Sequence, residues 1–506
     1  MCGIVAILYR DGQRPVDQAV LGTMTDLLGH RGPDGRGLFI DHEVGLGHRR
    51  LAVLDLAGGH QPMRGPSGRT WIVYNGEVYN YQELRQCLAA RGVRFRSHSD
   101  TEVLLAMYEQ YGLRFVEWLN GMFAFAIWDE RNRSLVLARD RLGVKPLYVW
   151  NGSDCIIAAS EIKSILAYPG VPRELRDRAL AEYVAFRQLS GGRTMFGGID
   201  AVAPGTVEVH QGTKSMTSRF WSLPPADAAE GSLNTKRAAE ELRLLLEDSV
   251  KLCMIADVPL GTFNSGGLDS SLVTALASRI ANVRLRTFTI GFREEEYDER
   301  PFARRVSEYL STVHEEVLGD ASVFADALPQ SIWHHDEPLN HANSIFIRLL
   351  SEFAKKKVTV VLTGEGADEL FSGYPRYRMA RVLGLTRSVA MWPERAISVV
   401  ASLANGRKSR MIRLCLGQPD EFVIASNARY VLPEDVERLC EGESLDGRLD
   451  LVPRGRNLLG RTLTFDQATY LHNVLERMDK MTMAAGLEAR VPFLDYRIVE
   501  FAAKLA

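Results

Sequence analysis

The stretch of sequence that decides the fold is VPLGTFNSGGLDSSLVTAL, residues 258–276. It passes from a strand-like apolar run through a loop of small residues into a helical pattern. In such a loop the backbone N–H groups can close around phosphate oxygens, serine hydroxyls add donors, and the next helix contributes its positive N-terminal end. The alternative is an ordinary glycine–serine turn that caps a helix. The order of strand, loop and helix favours a phosphate-binding turn.

Two further strand-like segments follow this loop, RTFTIGF at 286–292 and VTVVLT at 358–363, and the second leads into another glycine loop, GEGADE. Strands that alternate with helices predict an α/β domain with a parallel sheet, whose ligand loops lie at the carboxyl ends of the strands. The chain contains no GK dipeptide, and no G-x-G-x-x-G follows a predicted strand. P-loop hydrolysis and dinucleotide binding are therefore disfavoured.

The residues before about 167 show a different pattern. Short β-rich runs such as CGIVAILY and MFAFAIWDE are separated by turns, and two helical patterns interrupt them at 81–91 and 101–111. This predicts a layered α+β domain. Residues 222–236 are rich in Pro, Ala and Gly, as a linker would be. We therefore predict one domain over 1–205, a connecting segment over 206–235 and a second domain over 236–506.

Length and charge exclude several classes of protein. The 506 residues exceed what one hydrophobic core usually supports, and 61 Lys+Arg against 63 Asp+Glu give a net charge of −2. A near-neutral chain has no general attraction to nucleic acid or anionic membrane, and no apolar run approaches the roughly 18–20 residues of a membrane span. The N-terminus makes a poor signal peptide, and the six cysteines form no C-x-x-C pair. We expect a cytoplasmic protein with neither nucleic acid nor membrane as partner.

Cys2 stands directly after the initiator methionine. If Met1 is removed, Cys2 carries both a thiol and a free α-amine, whose reference pKa of about 7.7–8.0 would let it act as the base for the thiol. Taken alone, Cys2 is better explained as an arbitrary residue of the first strand. The surrounding strings favour catalysis: HRGPDG at 30–35, GHRRLAVLD at 47–55, YNGEVYN at 74–80 and SDTEV at 99–103.

Together with MCGI, these strings resemble the glutaminase domain of the class II glutamine amidotransferases, an N-terminal nucleophile fold built as a layered αββα sandwich. The resemblance implies glutamine hydrolysis with Cys2 as the nucleophile, and with the Asn75 side chain and the Gly76 amide stabilising the oxyanion. The glutamine site that it implies consists of Arg50, Leu51, Val53, Asn75, Gly76, Glu77 and Asp100.

The charged members of this site have roles that suit their chemistry. A planar guanidinium suits bidentate capture of the substrate α-carboxylate, which the resemblance assigns to Arg50. Two acids, Glu77 and Asp100, would hold the α-ammonium. Arg49 is an alternative carboxylate ligand, and the Asn-Gly pair at 75–76 by itself would also fit a hairpin turn.

The second part of the chain carries a separate resemblance. SGGLDSS at 265–271 is similar to the PP-loop of ATP pyrophosphatases, which adenylate a carboxylate or carbonyl and release pyrophosphate. GEGADELFSGYPRY at 364–377 and MDKMTMAAGLEARVPFLD at 478–495 resemble signatures of the asparagine synthetase family. The implied ATP site consists of Asn264, Ser265, Gly266, Gly267, Asp269, Ser270, Ser271, Ile290, Thr363 and Gly364.

Acidic residues of these signatures take further roles. By the resemblance, Glu365 is a catalytic residue for making or consuming an acyl-adenylate, and Asp368 lies near the pyrophosphate and its Mg²⁺. Asp269 would repel phosphate unless a cation intervened, so it is also assigned to Mg²⁺. The last signature contains three further landmarks, Glu488, Arg490 and Asp495. The resemblance gives them a structural role near the ATP site.

The two resemblances imply a glutamine-dependent, amide-forming ligase of asparagine synthetase type. Ammonia released at Cys2 would attack an acyl-adenylate made from ATP and a carboxylate acceptor, by default L-aspartate, releasing AMP and pyrophosphate. One alternative is another carboxylate, from specialised metabolism or a surface-sugar pathway, and a second is a glutaminase with a degenerate regulatory synthetase domain. The implied cofactors are ATP and Mg²⁺, the partners are small-molecule substrates, and the resemblance allows a homodimer.

Two positions depart from the family pattern. Asn264 stands where an apolar residue is common, so its amide is expected to alter the adenine pocket. The chain ends at Ala506, whereas the family pattern continues into a segment with a catalytic lysine. We therefore expect the second domain to be incomplete at its C-terminal end.

Overall fold

The computed structural model describes residues 2–226, 234–386, 418–440, 447–455 and 457–505. The middle of the predicted linker, residues 227–233, and most of the region 387–446 lie outside them. The strands of the amino-terminal half (described residues 2–226) are β1 (Gly3–Tyr9), β2 (Gly35–Asp41), β3 (Val44–Arg50), β4 (Met63–Arg64), β5 (Thr70–Val78), β6 (Gly121–Asp129), β7 (Ser134–Arg139), β8 (Tyr148–Asn151), β9 (Cys155–Ala159), β10 (Ile199–Ala201), β11 (Thr206–Gln211) and β12 (Lys214–Arg219). Its helices are α1 (Gln18–Asp26), α2 (Tyr81–Ala89), α3 (Asp100–Tyr111), α4 (Ile162–Leu166) and α5 (Ala179–Phe186), with a 3-10 segment at Gly112–Trp118.

The amino-terminal half is a sandwich of two antiparallel sheets. Their strand orders are β10-β8-β9-β1-β3-β2 and β12-β11-β7-β6-β5-β4. Strand β1 shows why the sheets are layered, since Ile4 and Leu8 belong to the core between the sheets while Val5 and Ile7 belong to the core against α1 and α4. Helices α2 and α3 cover the outer face of the second sheet. The predicted αββα arrangement is confirmed.

The carboxyl-terminal half (described residues from 234 onward) alternates strands and helices, as predicted. Its strands are β13 (Leu260–Phe263), β14 (Arg286–Phe292), β15 (Val313–Gly319), β16 (Val360–Leu362) and β17 (Glu488–Arg490). Its helices are α6 (Thr235–Cys253), α7 (Leu268–Ile280), α8 (Arg300–Leu310), α9 (Ala321–His335), α10 (Asn343–Lys355), α11 (Ala367–Phe371), α12 (Pro375–Thr386), α13 (Asp420–Ala425), α14 (Pro433–Leu439), α15 (Leu458–Ala468), α16 (Tyr470–Met483) and α17 (Tyr496–Ala503). Short 3-10 segments lie at Glu295–Tyr297, Leu449–Leu451 and Pro492–Leu494.

These strands form one parallel sheet in the order β15-β14-β13-β16-β17. Strand β13 is central, so the loop that follows it lies at the middle of the carboxyl edge of the sheet. The loops after β14 and β16 flank it, which is where ligands bind in sheets of this kind. The predicted α/β class is confirmed.

Helix α16 attaches the two halves to each other through buried ion pairs. The Asp479 carboxylate contacts the Arg31 guanidinium at 2.7 Å and the Lys145 ammonium at 3.1 Å. A second pair joins Lys163 to Asp336 at 2.8 Å. Apolar residues of both halves also share one core cluster, so the two halves pack as a continuous interior.

Two other features bear on the chemistry. Among the described residues, no helix is both long and apolar enough to cross a membrane. The described cysteines are all free, and those that are buried are Cys2, Cys155 and Cys253. Cys415 lies outside the described residues.

Candidate active sites

Cys2 lies immediately before β1 and next to Asn75 of β5. Its residue is 7% exposed, and its backbone N–H donates to Asn75 Oδ1 at 2.9 Å. The thiol lies 4.0 Å from the carbonyl oxygen of Leu51, and Arg31 Nε donates to the Cys2 carbonyl at 3.1 Å. Burial raises the pKa of the Cys2 thiol, so it needs a base before it can attack.

Asn75 lies in β5 and is completely buried. Since its Oδ1 accepts from Cys2, its Nδ2 is left as a donor with no hydrogen-bond partner among the described residues. A buried donor without a partner is costly, and such groups mark sites where a ligand completes the bond. At Gly76, a Cβ would overlap the carbonyl oxygen of Met122 on the neighbouring strand, so only glycine fits beside Asn75.

The two candidate arginines point to different partners. Arg50, at the end of β3, is buried and its guanidinium donates to the backbone carbonyls of Leu54, Asp55 and Leu56 at 2.7–3.2 Å. These bonds fix the guanidinium beside Cys2 without a carboxylate partner. Arg49 instead donates to the Gly32 carbonyl at 3.2 Å and lies 3.6 Å from Asp26.

The two predicted ammonium ligands differ in their surroundings. Asp100, the first residue of α3, accepts hydrogen bonds from the Tyr74 hydroxyl at 2.9 Å and the Val78 N–H at 3.0 Å, and burial raises its pKa. Glu77 is buried, and its Oε1 lies 3.6 Å from Nη2 of Arg490 in β17. Burial and the charge of Glu488 raise the pKa of Glu77, while Arg490 opposes that rise. Glu77 is therefore flanked by residues of the carboxyl-terminal half.

Leu51 and Val53 line the connection between the halves. Both are buried in the core cluster that spans the two halves. The Val53 carbonyl accepts from the Asp257 N–H at 2.9 Å, and the Asp257 carboxylate accepts from the Asp55 N–H at 2.8 Å. The loop that carries Arg50's partners is thus fixed by the segment leading into β13.

The second candidate site is a cavity of about 390 Å³ at the carboxyl edge of the parallel sheet. The residues of the predicted ATP and acid sets that line it are Asn264, Ser265, Gly267, Asp269, Ser270, Ile290, Thr363, Gly364, Glu365 and Asp368. Gly266 and Ser271 are not part of the lining. Gly266 has φ +78°, and a Cβ there would overlap the backbone of Phe302 and Ala303, so it shapes the loop from behind.

Asn264 does not direct its amide toward an adenine pocket, contrary to the expectation from sequence. Its Nδ2 donates to the Ala303 carbonyl and to Ser307 Oγ, both at 3.2 Å, and its Oδ1 accepts from the Gly266 N–H at 3.0 Å. The side chain is therefore saturated by helix α8 and its own loop. Asn264 holds the glycine loop in shape and is also part of the cavity lining.

Three carboxylates, those of Asp269, Glu365 and Asp368, line this cavity. Burial and the charge of Asp368 raise the pKa of Asp269, and burial raises the pKa of Asp368. Burial also raises the pKa of Glu365, although Arg477 opposes it. In the described part of the chain no cluster of three or more His, Cys, Asp or Glu side chains could hold a metal alone. Asp269 and Asp368 fit Mg²⁺ if phosphate oxygens supply the remaining ligands.

Arg477 is a site residue that the sequence did not reveal. It lies in α16, is buried, and places Nη2 3.9 Å from Glu365 while its Nε has no hydrogen-bond partner among the described residues. Asn343 at the start of α10 accepts from its Nη1 at 3.1 Å. The only available signal was its position one residue before the MDKMTM signature. The sequence likewise assigned no specific role to Arg31, which lies within the HRGPDG string.

Comparison with known proteins identifies the family of this chain. A family model described as a glutamine amidotransferase domain matches residues 1–221, and one described as asparagine synthase matches residues 241–506. Asparagine synthetase [glutamine-hydrolyzing] 1 of Bacillus subtilis is 33% identical over an alignment that covers 100% of this chain and 81% of that protein. The chain belongs to the glutamine-hydrolysing asparagine synthetase family. It is therefore an ATP-dependent carbon–nitrogen ligase that uses glutamine as its nitrogen donor.

Other relatives of this synthetase carry different names. A Penicillium rubens protein named amidase chyE is 30% identical, with 99% of this chain and 82% of that protein covered. A solved structure of a glutamine phosphoribosylpyrophosphate amidotransferase from B. subtilis aligns at 16% identity and a TM-score of 0.34, covering 63% of this chain and 81% of that one.

The glycine loop of the synthetase half gives a testable prediction. Gly266→Ala forces a side chain into a left-handed conformation and against α8, so we expect ATP affinity to fall about tenfold or more. Isothermal titration of the full chain with ATP and Mg²⁺ measures this. Gly197→Ala, outside the cavity, is the matched control, because a Cβ there would approach no closer than the Glu174 carbonyl oxygen at 3.6 Å. Equal losses in both variants would contradict this role for Gly266.

Proposed function

We propose that this enzyme makes L-asparagine from L-aspartate, glutamine and ATP, with the residues described above as its two active sites. The observation that carries the proposal is the unpartnered Nδ2 of Asn75 beside the Cys2 residue. An orphan donor next to a nucleophile is placed to receive charge that develops only during acyl transfer, and losing such a donor typically costs about a hundredfold or more in rate.

At the first site, removal of Met1 would free the α-amine of Cys2, which takes the thiol proton as Sγ attacks the glutamine carboxamide carbon. The oxyanion accepts from Asn75 Nδ2 and the Gly76 N–H. Collapse breaks the C–N bond, ammonia leaves with the transferred proton, and water then hydrolyses the thioester to glutamate and free thiol. Arg50 binds the substrate α-carboxylate, while Glu77 and Asp100 accept from its α-ammonium.

Ammonia must reach the second site without mixing with water, where most of it would become the non-nucleophilic ammonium. A small cavity of about 30 Å³ lies between the two halves. Its apolar lining residues are Met122, Leu142 and Val144 from the amino-terminal half and Val491 and Leu494 from the carboxyl-terminal half. We assign this cavity to the ammonia route because residues of both halves line it, although its wall also includes the charged side chains of Asp140, Arg141 and Asp495.

At the second site, an acceptor carboxylate oxygen attacks the α-phosphorus of ATP, and pyrophosphate leaves. Mg²⁺, held by Asp269 and Asp368, would offset the phosphate charge when bound. Ammonia then attacks the acyl carbon of the adenylate, AMP leaves, and Glu365 takes the proton released from nitrogen. Burial raises the pKa of Glu365, which makes its carboxylate a better proton acceptor than an exposed one.

Arg477 supports a dicarboxylate acceptor. Its buried guanidinium places Nη2 3.9 Å from Glu365, which lines the cavity, and its Nε has no hydrogen-bond partner among the described residues. An acceptor with two carboxylates can be held through one by Arg477 and adenylated at the other. L-aspartate meets this requirement.

Several expectations from the sequence stay predictions. These are the homodimer, the cytoplasmic location, and the division at 1–205, 206–235 and 236–506. Strands β11 and β12 belong to the second sheet and extend the amino-terminal layers to Arg219.

Acceptor identity is tested by ATP–pyrophosphate exchange across a panel of carboxylates, with the full chain, ATP and Mg²⁺. We expect exchange with L-aspartate that exceeds exchange with all other acids in the panel. Strong exchange with a different acid would replace aspartate as the acceptor. Absence of exchange with every acid would contradict the ligase half of the proposal and favour a glutaminase with an inactive second half.

The separation of the two sites is tested with Cys2→Ala. Glutamine hydrolysis and glutamine-driven amide formation should fall at least about a thousandfold, because the nucleophile is gone. Amide formation driven by ammonium chloride should continue, because the ATP site is intact. Cys155→Ala, another buried cysteine away from the site, should retain both activities. Hydrolysis that persists in Cys2→Ala would contradict the assigned nucleophile.

A further inference from the structure

Strand β17 of the carboxyl-terminal half brings two charged side chains into the glutamine site of the other half. Glu488 and Arg490 are both completely buried, and Arg490 Nε donates to Glu488 Oε1 at 2.6 Å. Burial opposes ionisation of Glu488, but the charge of the chain's N-terminal ammonium and then that of Arg490 lower its pKa. The Glu488 charge in turn contributes to the raised pKa of Cys2 and of Glu77. This differs from the purely structural role near the ATP site that the sequence predicted for these residues.

The two terminal nitrogens of the Arg490 guanidinium differ in their hydrogen bonds. Its Nη1 donates to the carbonyls of Cys253 and Ile255 at 2.8 and 2.7 Å, which anchor it to the end of α6. Its Nη2 has no hydrogen-bond partner among the described residues and lies 3.6 Å from Glu77 Oε1. A buried guanidinium edge with a single facing carboxylate is an incomplete bidentate pair.

The main chain of Arg490 is equally constrained. Its carbonyl accepts from the Thr363 N–H at 2.9 Å, and Leu362 pairs with Arg490 in the register of β16 and β17. Thr363 lines the ATP cavity. The guanidinium that faces Glu77 is thus held by the same strand pair that forms the wall of the second site.

We propose that Arg490 is a positioning residue of the glutamine site, which orients the Glu77 carboxylate toward the substrate α-ammonium and opposes its protonation, so that the glutaminase site is completed by the synthetase half. This deepens the proposed function and rests on it, because Glu77 is assigned there to the ammonium. Glu77 would otherwise face Glu488 and Asp100, two acids whose charge favours its protonated form. A protonated Glu77 cannot serve as an ionic partner for glutamine.

The expected kinetic effect separates positioning from a general structural role. In the described part of the chain, the Arg490 guanidinium faces Glu77 and has hydrogen bonds to Glu488, Cys253 and Ile255 but none to Cys2 or Asn75. Its loss should therefore weaken glutamine binding and leave the chemical step unchanged. In Arg490→Met we expect the KM for glutamine hydrolysis to rise about tenfold with kcat unchanged. Arg490→Lys keeps the charge at this position and should recover part of the loss.

The test is a double-mutant cycle on the full chain with glutamine hydrolysis as the readout. The set consists of wild type, Arg490→Met, Glu77→Gln and the double variant. If Arg490 acts through Glu77, Arg490→Met raises KM in the wild-type background and has no further effect in Glu77→Gln. An equal rise in both backgrounds, or no rise in either, would overturn the proposal.

Controls keep the result interpretable. Arg448→Met removes another buried arginine that donates to backbone carbonyls, those of Ala425 and Asn427, and should leave the KM for glutamine unchanged. If Arg490→Met fails to fold, the cycle is run with Arg490→Lys, for which the same non-additivity is expected. Hydrolysis that survives in Cys2→Ala would refute the proposed function itself, whereas an additive cycle with an inactive Cys2→Ala refutes only the role of Arg490.

Discussion

The buried contact of Asp479 with Arg31 and Lys145 is the interaction on which the arrangement of both sites depends. Asp479 lies in α16 beside Arg477, which faces Glu365, and Met478, which lines the ATP cavity. Arg31 in turn donates to the Cys2 carbonyl. One helical turn therefore sets the position of residues in both active sites. Breaking such a pair leaves buried charges uncompensated, which typically costs about 3–5 kcal/mol.

The two sites use charge in opposite ways. In the proposed glutamine site, acidic and arginine side chains are nearly matched, and the ammonium and carboxylate of the substrate would meet small imbalances such as the one at Glu77. In the ATP cavity, the carboxylates of Asp269, Asp368 and Glu365 form an excess of negative charge. Burial raises the pKa of each, and neighbouring acidic charge adds to the rise at Asp269 and Glu365. That excess is what a cation bound with phosphate would neutralise, so nucleotide and Mg²⁺ are expected to bind together. The near-neutral net charge of the chain is compatible with both sites, because each site consists of a few charged side chains at specific positions.

Local sequence was enough to predict the elements that repeat a short pattern. The strand, glycine loop and helix from β13 to α7 and the layered strands of the amino-terminal half were accessible, because their determinants lie within a few residues of one another. The strand predicted at 358–363 is shorter in the structure, since only Val360–Leu362 pair in the sheet. Boundaries of this kind depend on partner strands and not on local propensity.

Long-range contacts could not be predicted in this way. Arg31 and Asp479 are 448 positions apart, and nothing in either motif specifies the other. The same limit explains why Asn264 was expected to face a nucleotide when its amide binds α8, and why Arg490 was assigned to the ATP side when its guanidinium faces Glu77. Hydrogen-bond saturation and burial, which only the folded chain reveals, decide these roles.

The central claim is that one packed interior joins a source of ammonia to a site that consumes it. The measurement that tests this most directly is amide synthesis from glutamine labelled with ¹⁵N at the amide, in the presence of excess unlabelled ammonium chloride. If ammonia passes internally, the newly formed amide carries ¹⁵N far above its fraction in the bulk ammonium pool. An amide whose ¹⁵N content equals that of the bulk pool would show that ammonia mixes with solvent, and would contradict the account.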